Sequence, residues 1–149
     1  MLRKARIGDI KQIQGLINSF AKADLMLPRS LNELYENLRD FFVYEDKNKI
    51  AGCSALHISW DDLAEIKSLA VDKRYQRKGI GRSLATACIQ EAKALGAKKI
   101  FVLTYAPDFF KSIGFKKIAP KKLPHKIWAE CINCPKFPDC DETALIRKI

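Results

Sequence analysis

Gln76-Arg77-Lys78-Gly79-Ile80-Gly81 lies between a strand-like run and a helix-like one, and its reading decides the fold. Ahead of it, Glu65-Ile66-Lys67-Ser68-Leu69-Ala70-Val71 is strand-like and rich in apolar residues. Behind it, Ile80, Leu84, Cys88 and Ala92 recur at the spacing of one helix face. Glycines at a strand-to-helix turn let the backbone bend and let a ligand come close to the main chain. The N–H groups of the first helical turn have no partner inside the helix, and the helix dipole favours negative charge there. Together these features predict a pyrophosphate cradle. The plainer alternative is a glycine-containing turn feeding a surface helix. No Gly-x-x-x-x-Gly-Lys-Ser/Thr run is present for a P-loop, and no Gly-x-Gly-x-x-Gly for a dinucleotide.

The segment resembles the acyl-CoA loop of the GNAT superfamily of N-acetyltransferases, whose pattern is Gln/Arg-x-x-Gly-x-Gly/Ala. Gln76, Gly79 and Gly81 fill its three positions, and Gly114-Phe115 after a later helical run is also like that family. The resemblance implies acetyl-CoA as cofactor and an α/β fold: a mixed, mostly antiparallel sheet with one splayed parallel strand pair, flanked by helices. The cofactor would contact Leu69, Ala70 and Val71 at the strand end and Gln76, Arg77, Lys78, Gly79, Ile80, Gly81 and Arg82 in the loop. The splayed pair would be Leu63–Val71 and 100–104, whose released backbone groups bond the pantetheine arm.

Working outward, the 149 residues predict one domain, 1–149, that includes a proline- and cysteine-containing segment at 120–141. Apolar and charged fractions are those of a globular protein. No apolar run approaches the roughly 20 residues of a membrane helix. The first residues lack the apolar core of a signal peptide, so a cytoplasmic protein without a membrane partner is expected. The formal charge of +10 raises a nucleic-acid reading. Lys73, Arg74, Arg77, Lys78 and Arg82 instead cluster around the proposed pyrophosphate loop, with a second group at Lys116, Lys117, Lys121, Lys122 and Lys126. An anionic substrate and a phosphate-rich cofactor account for that charge, and no nucleic-acid partner is expected. A homodimer is compatible with the sequence.

The five cysteines are an odd number with no export signal, which argues against a disulfide framework. Cys53 and Cys88 fall in apolar patterns as small core residues. Cys131-x-x-Cys134 with Cys140, and His125 upstream, offers a loose zinc ligand set; the alternative is a proline-braced loop of free thiols, and no metal is assigned. His57, in an apolar strand run, reads as a packing residue.

Patterning predicts a strand over 3–7, then Asp9 as N-cap of a helix with Ile10, Ile13, Ile17 and Phe20 on one face. Ser30-x-x-Glu33 is a capping box for a helix striped by Leu31, Leu34 and Leu38. Strands over 41–45 and 50–58 flank the turn Asp46-Lys47-Asn48-Lys49, a hairpin. The glycine-loop helix ends near Leu95-Gly96. A strand over 100–104, a helix over 108–113 and strands over 115–118 and 143–146 complete the order β-α-α-β-β-β-α-β-α-β-β.

Within the superfamily, three segments resemble the acetyltransferase domain of N-acetylglutamate synthases. They are Leu27-Pro28-Arg29-Ser30, Ala64 to Val71, and Leu103-Thr104-Tyr105-Ala106-Pro107-Asp108-Phe109-Phe110. The tail Leu123-Pro124-His125-Lys126-Ile127-Trp128 is similar as well. The resemblance implies a short, stand-alone form that acetylates the α-amino group of glutamate. Acetyl transfer needs a neutral amine, whereas a free α-amino group (pKa about 8) is partly protonated at pH 7. Glu65 matches the acidic residue that would take that proton, directly or through water; otherwise it is an exposed strand residue. Many GNAT members carry a Tyr four residues before the Gly of Gly-Phe to protonate the leaving thiolate, and here that residue is Phe110. Thr104, Tyr105 or a water would then serve. Arg29 and Lys126 are candidates for the substrate carboxylates, and Lys67 and Ser68 for further substrate contacts. Rival readings are a GNAT enzyme for another amine (an antibiotic, a polyamine or a protein N-terminus) and a non-catalytic CoA-binding module.

Overall fold

The computed structural model describes residues 1–123 and 142–149. Among these residues, seven strands form one sheet: β1 (Leu2–Lys4), β2 (Phe41–Asp46), β3 (Lys49–Ile58), β4 (Leu63–Val71), β5 (Lys99–Thr104), β6 (Lys116–Lys117) and β7 (Thr143–Lys148). Their order is β1-β2-β3-β4-β5-β7-β6, antiparallel at every step except β4–β5. The helices are α1 (Ile10–Lys22), α2 (Leu31–Glu36), α3 (Ile80–Leu95) and α4 (Pro107–Ser112). The expected α/β architecture is thus present.

Each sheet face is covered because strands alternate side chains and helices present stripes. Ile10, Ile13 and Ile17 of α1 and Leu34 of α2 pack on Val43, Cys53 and Ala55. On the opposite face, Cys88, Ile89 and Ala92 of α3 and Phe110 of α4 pack on Leu56, Ile66, Ile100 and Val102. A smaller cluster of Leu63, Phe101, Leu123 and Ala144 lies beside them. The hairpin between β2 and β3 turns through Lys47 (φ +49°) and Asn48 (φ +66°), the two positive φ values of a type I′ turn. Gly96, at φ +94°, stops α3 as expected.

Four local expectations need correction. The first strand ends at Lys4, because Ile7–Asp9 winds into a 3₁₀ turn. Asp9 precedes α1 but does not cap it with its side chain. Its carboxylate instead accepts from the Arg6 backbone N–H at 2.8 Å and from both terminal nitrogens of Arg3, at 2.7 and 3.0 Å. The Arg3 guanidinium holds the Asp9 carboxyl below the ordinary carboxylate range. Leu38 lies past the end of α2, in a 3₁₀ turn over Leu38–Asp40. His57 is not packed away: its side chain is 41% exposed, and Nδ1 lies 2.7 Å from Asp40 Oδ2.

Candidate active site

β4 and β5 start as partners and then part. Their parallel register is Leu63–Lys99, Ala64–Ile100 and Glu65–Phe101, yet β4 runs on to Val71 and β5 to Thr104. Beyond Glu65 the facing edges therefore hold main-chain groups that do not bond across to one another. The expected splay is there, and a cleft of about 940 Å³ opens along it.

The β4 edge is reshaped by a bulge. Cys53 pairs with Ala70 and Ala55 with Lys67, so Ser68 and Leu69 together oppose Ser54. Ser68 takes up the extra residue at φ +57°, a conformation costing a non-glycine residue about 1 kcal/mol or more. A bulge re-aims the strand and frees main-chain groups from the ladder. The buried thiol of Cys53 donates to the Ser68 carbonyl oxygen at 3.3 Å, which fixes the bulge from behind. Burial pushes that thiol up to about 12, so it remains a donor at neutral pH.

At the far end of β4, Asp72 caps a 3₁₀ turn by accepting from the Arg74 N–H at 3.0 Å. Gln76 Nε2 donates to the Val71 carbonyl at 3.0 Å, bracing the loop on the strand it leaves. The chain then turns into α3 through Arg77 (φ +64°) and Gly79 (φ +82°). The first bond inside α3 runs from the Ser83 N–H to the Gly79 carbonyl, leaving the N–H groups of Ile80, Gly81 and Arg82 without an intrahelical partner. Nothing lies within 4 Å of where a Cβ on Gly79 would sit. Open amides, left-handed glycine, helix dipole and nearby Arg77 and Arg82 together suit a pyrophosphate.

The cleft gathers most of the residues anticipated from sequence. Glu65, Lys67 and Ser68 line it with Leu69, Ala70 and Val71 from β4. Gln76, Arg77, Gly79, Ile80, Gly81 and Arg82 line the loop end. Thr104 at the end of β5 and Tyr105 just after it line it, and Arg29 lines it from the segment before α2. Lys78 is the exception: it does not line the cleft, and its ammonium sits 5.5 Å from the centre of the Tyr75 ring. Lys126, His125, Cys131, Cys134 and Cys140 lie outside the described residues. Among the described residues no cluster of His, Cys, Asp and Glu is fit to hold a metal ion, and no helix is long and apolar enough to cross a membrane.

Glu65 is buried, 8% exposed, which removes the exposed-strand alternative. The Thr104 hydroxyl oxygen accepts from the Ala106 N–H at 2.9 Å, so its hydrogen remains available for donation. Arg29 is held by its main chain: its N–H donates to Asn18 Oδ1, and its carbonyl accepts from Gln14 Nε2, each at 3.2 Å. Its guanidinium lies 3.2 Å from Glu33 Oε2, with 14% of the Arg29 side chain exposed. The Ser30 hydroxyl accepts from the Glu33 N–H at 3.1 Å, as the capping pattern predicts.

Some lining residues escaped the sequence reading. Phe20, Leu25, Met26 and Leu27 form an apolar wall at the end of α1. For Leu25, Met26 and Leu27 the available signal was an apolar run outside any helical period, with Leu25 left 51% exposed, whereas Phe20 reads from sequence as part of the α1 face. Tyr75 was missed too; its hydroxyl donates to Asp46 Oδ2 at 2.9 Å, tying the loop to the β2–β3 hairpin and pushing the phenol upward.

The pattern of the acetyltransferase (GNAT) family matches residues 9–115. An uncharacterized N-acetyltransferase of Chlorobaculum tepidum is 39% identical over 99% of this chain and 96% of its own. An amino-acid acetyltransferase of Mycobacterium tuberculosis is 36% identical over 79% of this chain and 69% of its own. Among solved structures, N-acetylglutamate synthase from Neisseria gonorrhoeae, complexed with coenzyme A and N-acetyl-glutamate, is 27% identical with a TM-score of 0.90. That match covers 99% of this chain and 34% of the synthase chain. A Mycobacterium tuberculosis protein in complex with CoA matches at 28% identity and a TM-score of 0.85, over 100% and 99% of the two chains. With the loop, the splayed pair and these relatives in place, the chain belongs to the acetyltransferase (GNAT) family and is an N-acetyltransferase with acetyl-CoA as its acetyl donor.

Proposed function

We propose that this domain, residues 1–149, acetylates the α-amino group of L-glutamate to give N-acetylglutamate. The observation that carries the reading is the placement of Arg29 and Lys67 in the same cleft as the buried Glu65. Two cationic groups around one buried carboxylate suit a substrate with two carboxylates and one amine. The names of the amino-acid acetyltransferase and N-acetylglutamate synthase relatives support the same choice.

Acetyl-CoA supplies an activated thioester carbonyl. The chain's own residues do the rest. Arg29 takes one substrate carboxylate in a bidentate pair, releasing Glu33. Lys67, and Lys126 from the tail, serve the other. The bulge at Ser68 presents main-chain groups to the reacting end. Glu65 takes a proton from the ammonium so that the amine lone pair is exposed. The Thr104 hydroxyl, with Tyr105 beside it, returns a proton on the leaving-group side, where Phe110 has none to give.

A thiol-release assay over a panel of amines tests this. Glutamate should turn over far faster than glutamine, which lacks the side-chain charge, and faster than spermidine. Equal rates on glutamate and spermidine would leave an N-acetyltransferase for a different amine.

A further inference from the structure

Acetyl transfer to an ammonium releases a proton. A C–N bond forms and the thioester C–S bond breaks; nitrogen sheds two protons, the departing sulfur keeps one, and one must leave the site in each turnover. In the reading above, on which this inference rests, Glu65 receives a proton from nitrogen. Glu65 is only 8% exposed, and a ligand in the cleft can only lower that figure. Each round therefore needs a path from a buried carboxyl to solvent.

The sheet provides a neighbour. The β3–β4 register pairs Glu65 directly with His57. The strand period puts His57 on the face shared by Cys53 and Ala55, which pack against α1. Directly paired antiparallel residues hold their Cβ atoms about 4.5–5.5 Å apart, a gap that one hydrogen bond or one bridging water closes. On its other side, His57 Nδ1 lies 2.7 Å from Asp40 Oδ2. A carboxylate only accepts, so Nδ1 carries the hydrogen and Nε2 is the atom open to a further proton. The His57 side chain is 41% exposed and that of Asp40 26%, so the imidazole at the register position paired with Glu65 also reaches water. The charged groups set against it are Asp40 after α2 and, on β4, Glu65 and its same-face neighbour Lys67.

We propose that His57, oriented by Asp40, is the exit relay that takes the proton from Glu65 and passes it to water. It touches no substrate and acts through Glu65. The arrangement also gives a role to a histidine that local sequence assigns to packing.

The test is His57→Gln, which keeps a donor for Asp40 but cannot accept a proton. Its kcat should fall about tenfold or more at pH 7, with both KM values unchanged and the rate restored by added imidazole. An unchanged kcat overturns the relay, and so does a loss that imidazole leaves uncorrected. A second readout needs no turnover. The chain has only two histidines, so side-chain 1H–15N spectra resolve them. His57 should show the Nδ1–H tautomer, held by the Asp40 carboxylate. An Nε2–H tautomer overturns the relay. If Glu65→Gln itself keeps full kcat, the reading of Glu65 as base falls and takes the relay with it. If Glu65→Gln is slow and His57→Gln is not, the relay alone falls.

Discussion

Asn18 on α1 accepts the backbone N–H of Arg29 at 3.2 Å, and Gln14, one turn earlier, donates to the Arg29 carbonyl at 3.2 Å. The guanidinium therefore leaves the main chain from a fixed point, although the segment before α2 belongs to no helix or strand. Arg29→Ala should raise the glutamate KM roughly tenfold to a hundredfold, the scale of a lost charge-assisted pair, with kcat little changed. Asn18→Ala keeps the charge and loses one neutral hydrogen bond, so its KM should rise by only about two- to tenfold. Steady-state kinetics in which Asn18→Ala is the worse of the two would show that Arg29 does not bind the carboxylate.

The two glycines of the loop should respond differently. Gly79 sits at φ +82° facing open space, so Gly79→Asp adds strain and a negative charge where we place the pyrophosphate. Calorimetry should show CoA affinity falling by about tenfold or more, the equivalent of roughly 1.4 kcal/mol. At Gly81 an added Cβ meets Phe109 and Val71 at 3.7 Å, ordinary contact. Gly81→Ala should keep CoA affinity and gain up to about 1 kcal/mol of helix stability. Equal losses in both variants would contradict the assignment.

Glu65→Gln should lower kcat by roughly a hundredfold at pH 7, the usual scale for one acid–base group. The defect should narrow as pH rises toward the amine's own pKa of about 8 and beyond, because the amine then loses its proton without help. A pH–rate profile parallel to wild type would make Glu65 a structural residue.

Cys53 and Cys88 are buried, and burial pushes their thiols up to about 12 and about 11. Thiols of the unfolded chain ionise near pH 8.5. Above about pH 9 the unfolded state therefore binds fewer protons than the folded one, and stability falls as pH rises. The slope is about 1.4 kcal/mol per pH unit for each thiol until the folded value is reached. Below about pH 8 these two groups contribute no slope. Urea unfolding between pH 7 and 10.5 should show the decline, and Cys88→Ala should roughly halve its slope. Iodoacetamide at pH 8 should modify neither residue in the native protein.

Periodicity made the element order legible, because burial of one face imposes a period of two on strands and near four on helices. The turn into α3 was legible for a sharper reason. A left-handed residue at the start of α3 needs glycine, and Gly79 declares it. The bulge at Ser68 was not legible. Serine does not announce a positive φ, and the extra residue follows from how β3 and β4 pair between Cys53 and Lys67. His57 was misjudged for a related reason: its neighbours on β3 are apolar, while its partner Asp40 arrives from 17 residues away. Arg3 and Asp9 are only six apart, but their bidentate contact replaces a cap that local sequence would favour.

The three paired residues that join β4 to β5 have a mechanical consequence. On one side stand four strands and on the other three, so in main-chain terms the molecule is two plates riveted along a short seam. Side chains under α3, and Leu63 packed with Phe101 beside them, also link the two sides. A ligand bonded to both lips of the gap acts as a strut, stiffening the plates where the chain has no rungs of its own. Its departure leaves the plates on that seam and on side-chain packing. Compliance therefore rises and falls once in every catalytic round, and the molecule is softest in the interval between the departure of one ligand and the arrival of the next.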